Sequence, residues 1–183
     1  MNFGAAFSGT AAEVSSTTQL TYAADVSDSD LLHGITAAVT GWNTGNNAHP
    51  SELTDGIHGA GYDVVSGDKV QGAWTTVGAT AEYDLGLSPG GAGWDITSVQ
   101  SIADWLSAGF GNQAWTLEVK PVGGNYTTLA TVDYQPLGSG GGTTKVTLTD
   151  PGGVLATGIQ FIKVTANAQS GHDSGAFVWR ELD

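Results

Sequence analysis

Residues 79–93 read ATAEYDLGLSPGGAG, and this stretch decides the fold class. Ala79, Ala81, Tyr83 and Leu85 alternate with Thr80, Glu82 and Asp84. A period of two marks a half-buried strand, because successive side chains leave a strand on opposite faces. Gly86 to Gly93 then breaks the pattern with glycine and proline, which punctuate turns. The same unit recurs downstream. Trp94 to Ile102 reads as a strand whose alternation slips near Ser98, which predicts a bulge. Trp115, Leu117 and Val119 alternate with Thr116, Glu118 and Lys120; Val122 to Asn125 turns, and the strand Thr127 to Tyr134 follows. Gly138 to Gly142 is expected to be a hairpin loop before a strand over Thr143 to Thr149. Gly158 to Ala166 is apolar on both faces through Ile159, Phe161, Ile162 and Val164, which predicts a central strand. Ser174 to Asp183 closes the chain as a last strand. Strands at ~8–12-residue spacing, with turn signals between them, predict an all-β sandwich or barrel.

Upstream the pattern weakens. Residues 1–20 are small and polar, and are expected to form a loosely held N-terminal arm with one strand near Leu20 to Ala24. Leu31 to Trp42 is apolar, and Asn43 to Asn47 is a loop by composition. No helix longer than Ser101 to Ala108 is expected. A chain of 183 residues fits a single domain, 1–183, at the usual ~100–200 residues per domain.

Composition supports this organisation. With 40% hydrophobic and 13% charged residues the chain is too apolar and too weakly charged for disorder. Its 28 glycines suit turns and oppose helices, which lose stability to glycine's backbone entropy. Net charge is −13, and the basic residues are only Lys69, Lys120, Lys145, Lys163 and Arg180. Five scattered cations cannot track a phosphate backbone, so nucleic acid and anionic membranes are not expected partners. An acidic surface suits cations or neutral ligands. Cysteine is absent, which excludes disulfides, thiolate metal sites and thiol nucleophiles. No run of ~18 apolar residues exists, so membrane insertion is not expected.

Short catalytic patterns fail on context. Ser66 to Lys69 matches S-x-x-K but sits in a Gly/Asp turn rather than on a helix. His172-Asp173-Ser174 holds triad residue types, but adjacent residues cannot line up nucleophile, base and orienter. Asp25, Asp28 and Asp30 lack the glycine and terminal glutamate of an EF-hand loop. His33, His49, His58 and His172 show no metal-ligand spacing. A paired-carboxylate glycosidase remains open, since that pairing is spatial. Among the tryptophans, Trp94 and Trp115 read as core, while Trp42 and Trp105 adjoin predicted loops. An exposed ring there can stack on the apolar face of a sugar.

Two segments carry a resemblance. The first is Leu53-Thr54-Asp55-Gly56, then Gly72-Ala73-Trp74, then Ala81 to Gly86 (AEYDLG); the second is Val178 to Leu182 (VWREL). In order and spacing, over roughly residues 50–183, they resemble the galactose-binding-like jelly rolls: discoidin or coagulation factor type C domains and family 32 carbohydrate-binding modules of exported bacterial surface proteins. The resemblance implies a jelly-roll β-sandwich. It implies a structural calcium site between the DG loop and the last strand, with carboxylates from Asp55 and Glu181 and a backbone carbonyl near His58. One position departs: the family often has threonine two residues before its tryptophan, where this chain has Gly72. The start, MNFGAAFSGTAAEV, has neither a basic nor a long apolar leader region. The resemblance favours export, to the medium or the cell surface, with a leader removed.

The expected function is a non-catalytic, monomeric carbohydrate-binding module. Its loop-end ligand site would comprise Trp105, Asn112, Gln113, His172 and Asp173. The alternatives are a structural or adhesive surface domain that binds protein or polymer and, last, a glycoside hydrolase using an acidic pair.

Overall fold

The computed structural model describes residues 11–17, 22–42, 49–58, 73–106, 108–169 and 178–183. The strands among them are β1 (Ala11–Thr17), β2 (Ala38–Thr40), β3 (Ala73–Trp74), β4 (Thr80–Asp84), β5 (Trp94–Ile96), β6 (Ser98–Trp105), β7 (Gln113–Pro121), β8 (Thr127–Tyr134), β9 (Gly142–Thr149), β10 (Ala156–Ala166) and β11 (Val178–Leu182). One sheet runs β1-β9-β6-β11-β3; the other runs β2-β4-β10-β7-β8, with β5 also on β10. Every pairing is antiparallel. Two packed antiparallel sheets make the jelly-roll β-sandwich that the sequence led us to expect.

The alternation over 79–85 becomes β4, with Ala81 and Tyr83 buried and Thr80 and Glu82 half-buried on the other face. β10 is central, paired on one side with β4 and on the other with β7; Ile159, Ile162, Val164 and Ala166 are buried, and a register shift between Ile159 and Phe161 interrupts its alternation. The inward faces of both sheets share one core, including Tyr83, Leu117, Ile162, Val146, Leu148 and Leu182. Trp179 is at its centre, 6.4 Å from the Trp42 ring and 5.5 Å from the Trp115 ring. No helix among the described residues is long and apolar enough to cross a membrane.

Five local expectations change. Ala11–Thr17, expected in a loose arm, is an edge strand in register with β9 from Ala11↔Thr149 to Thr17↔Thr143. Ala23–Asp25, the end of the strand expected near Leu20 to Ala24, is instead a short 3-10 helix. The slip near Ser98 is a change of sheet: β5 pairs with β10, whereas β6 pairs with β9 and β11. Flanked on both sides, Ser101 to Trp105 is buried strand rather than helix. Gly138 to Gly142 joins β8 to β9, strands of different sheets, so it crosses between layers instead of closing a hairpin.

One glycine is required by a close approach. Gly93 has φ +78, and a Cβ there would lie 2.4 Å from the carbonyl carbon and oxygen of Gly158. This contact seats the entry to β5 against β10. Gly93→Ala is expected to cost about 1–3 kcal/mol through strain and overpacking, measured as a lower urea midpoint.

Candidate functional site

At one corner of the sandwich the Asp55-Gly56 loop meets the last strand. A 3-10 turn, Pro50–Thr54, delivers the loop, with Pro50 in its first positions and Leu53 and Thr54 buried. Asp55 Oδ1 accepts from the Ile57 N–H at 2.9 Å, closing the turn on itself. Gly56 has φ +75, and a Cβ there would lie 3.0 Å from Asp28 Cβ and 3.2 Å from the His33 ring. The loop is therefore roofed by the segment around Asp28. The Gly56 N–H donates to Glu181 Oε1 at 3.1 Å, tying the loop to β11.

The electrostatics of this corner are unusual. Glu181 is only 1% exposed, and its Oε2 has no hydrogen-bond partner among the described residues. Burial pushes its carboxyl up to about 9; the Gly56 N–H opposes this, and the carboxylates of Asp183, Asp55 and Asp30 add to it. Burial likewise raises Asp55, against the Ile57 N–H and His33. Asp183 is pushed up to about 6 by burial, although Gln100 Nε2 at 3.0 Å and the Ser27 N–H at 3.3 Å both donate to its Oδ2. Tyr83 is fully buried with its hydroxyl unpartnered, and burial, then the charge of Glu181, raises its phenol above the usual range. Unpartnered buried oxygens are costly, and a buried carboxylate more so.

Carboxylates and backbone carbonyls of this kind are the hard donors that calcium takes. Among the described residues no three His, Cys, Asp or Glu side chains converge as a ready-made ligand set. A cation here would rely on one or two carboxylates plus backbone oxygen. The His58 ring turns elsewhere, with Nε2 3.7 Å from Asp104 Oδ2. From the sequence, Asp183 was not singled out, Tyr83 entered only as a strand position and Asp30 only in a rejected EF-hand pattern. The inward phase of the β4 alternation was a signal for Tyr83, whereas the two aspartates reach Glu181 only through the fold.

The expected loop-end residues are arranged differently. Trp105 is 5% exposed, packed with Val178 and Phe110, and the Arg180 guanidinium lies 5.8 Å from its ring centre. It is a wall of the sandwich end rather than the exposed platform anticipated, because Phe110, five residues on, and the remote Val178 and Arg180 enclose it. Asn112 is buried, donating through Nδ2 to Gly138 O and accepting from Leu137 N, each at 2.9 Å. Gln113 is fully buried. Its Oε1 accepts from Trp115 Nε1 at 2.9 Å and from the Ser101 hydroxyl, while Nε2 donates to Thr144 O and Oγ1 at 3.0 Å. Both amides hold the framework together. Trp42 is half-buried, with Nε1 donating to Thr80 O at 2.7 Å. His172 and Asp173 lie outside the described residues. Beside Trp105, Arg180 and Asp104 are both fully buried; Arg180 Nε donates to Asp104 O at 3.2 Å, and Thr143 Oγ1 to Asp104 Oδ2 at 2.6 Å.

No protein-family model matches the sequence, and no curated protein matches it. Solved structures do match the fold. The family 32 carbohydrate-binding module of C. perfringens NanJ, in complex with galactose, superposes with a TM-score of 0.52 at 17% identity, covering 81% of this chain and 91% of that one. CpGH89CBM32-5 from Clostridium perfringens, in complex with GalNAc-β-1,3-galactose, gives 0.51 at 16% identity, covering 81% and 93%. CBM32-1 from a family 31 glycoside hydrolase of the same organism gives 0.51 at 11% identity, covering 84% and 97%. These likenesses show that the chain has the galactose-binding-like jelly-roll fold.

Proposed function

We propose that this chain is a non-catalytic, monomeric carbohydrate-binding module of an exported bacterial protein, with a structural calcium site. The observation that carries the calcium site is the meeting of Gly56 with Glu181, where a 1%-exposed carboxylate keeps one oxygen unpartnered among the described residues. Calcium held by Glu181, Asp55 and backbone carbonyls near His58 would compensate that buried charge and pin the DG loop to β11. The sugar-binding reading is supported by the shared fold with modules solved holding galactose and GalNAc-β-1,3-galactose. In this chain the ligand contacts are assigned to His172 and Asp173, in the segment joining β10 to β11. Trp105, Asn112 and Gln113 then act as the buried wall and struts of the sandwich end.

A glycan array probed with the intact chain in calcium tests the reading. Retention on galactose- or GalNAc-bearing glycans is expected. The His172→Ala/Asp173→Ala pair should weaken it about tenfold or more, the scale of one or two lost hydrogen bonds, one of them to a charged group. The burial of Trp105 and the occupied amides of Asn112 and Gln113 favour a second reading, a structural or adhesive surface domain. Silence on the array together with binding to cell-surface protein or polymer would select it.

A further inference from the structure

Away from the loop end, a groove of about 430 Å³ opens between residues 25–32, the β5–β6 switch and Asp183. Ser98 lines it, and Ser98 and Trp105 are the two ends of β6, so groove and loop end lie about 23 Å apart at ~3.3 Å per residue. We propose that this groove is a second carbohydrate site, for a non-acidic pyranose, and that it holds most tightly a pyranose bearing a free ammonium group. The inference rests on the carbohydrate-binding reading above, but not on the loop-end residues.

Size comes first. The volume lies within the ~300–1,000 Å³ of small-molecule pockets. Its aliphatic lining includes the nearly buried Leu32, Ile96 and Val99 and the 38%-exposed Leu31, which offers an apolar surface to the C–H face of a sugar ring. Polar groups surround that lining. Ser29, Thr97, Ser98 and Thr147 supply hydroxyls. Four carboxylates, Asp25, Asp30, Asp95 and Asp183, supply acceptors. A pyranose presents the matching pattern, an apolar face edged by hydroxyl donors.

The carboxylates are held in place by the protein, so little ordering is left for a ligand to impose. Asp30 Oδ1 accepts from Leu32 N at 2.6 Å and His33 N at 3.0 Å. Asp95 Oδ1 accepts from Gly158 N at 3.1 Å. Asp183 Oδ2 accepts from Gln100 and Ser27, and Gln100 Nε2 also donates to Asp25 O at 2.8 Å, linking the groove walls. Asp30 and Asp95 each use one oxygen in this way and keep the other, whereas the second oxygen of Asp183 is buried. Asp25 is already neutralised by Lys145 at 2.5 Å, and among the described residues no lysine or arginine lines the groove. A uronate or sialate would therefore meet unbalanced like charge, whereas an ammonium would meet opposite charge.

Calorimetry of the His172→Ala/Asp173→Ala chain, with calcium saturating, isolates the groove. Glucosamine is expected to bind about three- to fivefold more tightly than glucose, the scale of one exposed ion pair, and glucuronate not at all. Asp95→Asn keeps an oxygen for the Gly158 N–H and should reduce the glucosamine preference. Ser29→Trp, on an exposed loop, should fill the groove and abolish binding. The proposal is overturned if glucuronate binds as well as glucose, if Ser29→Trp leaves binding intact, or if ethanolamine competes as well as glucosamine, which would make this a bare ammonium site. Sugar binding by the parent chain that vanishes entirely in the His172/Asp173 variant overturns the groove alone. No sugar binding by any form overturns both readings.

Discussion

Removing calcium at pH 8 is expected to lower the melting midpoint by about 5–10 °C. A ligand at a hundredfold excess over its Kd stabilises by about 2.7 kcal/mol, and a domain of this length shifts about 2–4 °C per kcal/mol. The pH dependence of the chelated protein provides an independent signature. Glu181 has its carboxyl raised in the fold from an ordinary 4.5 to about 9. Its proton therefore stabilises the folded state fully below pH 4.5, and that contribution is lost as pH rises toward 9. Asp183 acts in the same sense between 3.8 and about 6. In chelator the midpoint should fall as pH rises through these ranges, and calcium should flatten the fall by supplying the missing countercharge. Glu181→Gln removes the charge while keeping an acceptor for the Gly56 N–H. That variant should melt above the parent in chelator at pH 8, and calcium should no longer move it. Thermal melts followed by tryptophan fluorescence read all three effects. A parent indifferent to both calcium and pH would remove the basis for a cation at this corner.

Arg180→Met is expected to cost about 3–5 kcal/mol, the usual result of removing one member of a buried charged group. Arg180 and Asp104 are both 0% exposed on neighbouring strands, and the guanidinium also covers the Trp105 ring. Without Arg180 the Asp104 carboxylate stays buried with Thr143 and His58, and Asp104 O loses the Nε donor. Urea unfolding should show the loss as a lower midpoint with an unchanged slope. An Asp104→Leu/Arg180→Met pair should recover part of it, because an apolar pair of similar volume escapes the desolvation penalty. A single variant within about 0.5 kcal/mol of the parent would mean that water reaches this cluster.

These two clusters show what the sequence could carry. Strand alternation is local, so β4, β7 and β10 could be read directly from Ala79 to Leu85, Trp115 to Lys120 and Gly158 to Ala166. Sheet membership is not local: nothing in Gly138 to Gly142 says that the next strand joins the other layer, and the slip at Ser98 looks the same for a bulge as for a sheet change. Ala11 to Thr17 is built of small and polar residues with weak periodicity, so its pairing with β9 left little trace. Asp55 and Glu181 stood out only through a family resemblance. The carboxylates that act on Glu181, namely Asp183, Asp55 and Asp30, and the Tyr83 phenol on which Glu181 acts, come from separate segments. Trp105 was misjudged as exposed because two of the groups that cover it, Val178 and Arg180, are remote in sequence.

The register of β1 also sets how the domain would answer a pulling force. Ala11 stands opposite Thr149, which stands opposite Ser98, and the Asp183 N–H donates to Gln100 O two residues along. The first residue of β1 and the last residue of the chain therefore leave the same end of one sheet, three strand spacings or about 14 Å apart. Tension applied between them acts across the strands rather than along them. It would peel β1 from β9 one residue pair at a time, like a zipper, instead of shearing all their hydrogen bonds together. A domain loaded in this way yields at low force, and its first extension is the length of a single edge strand.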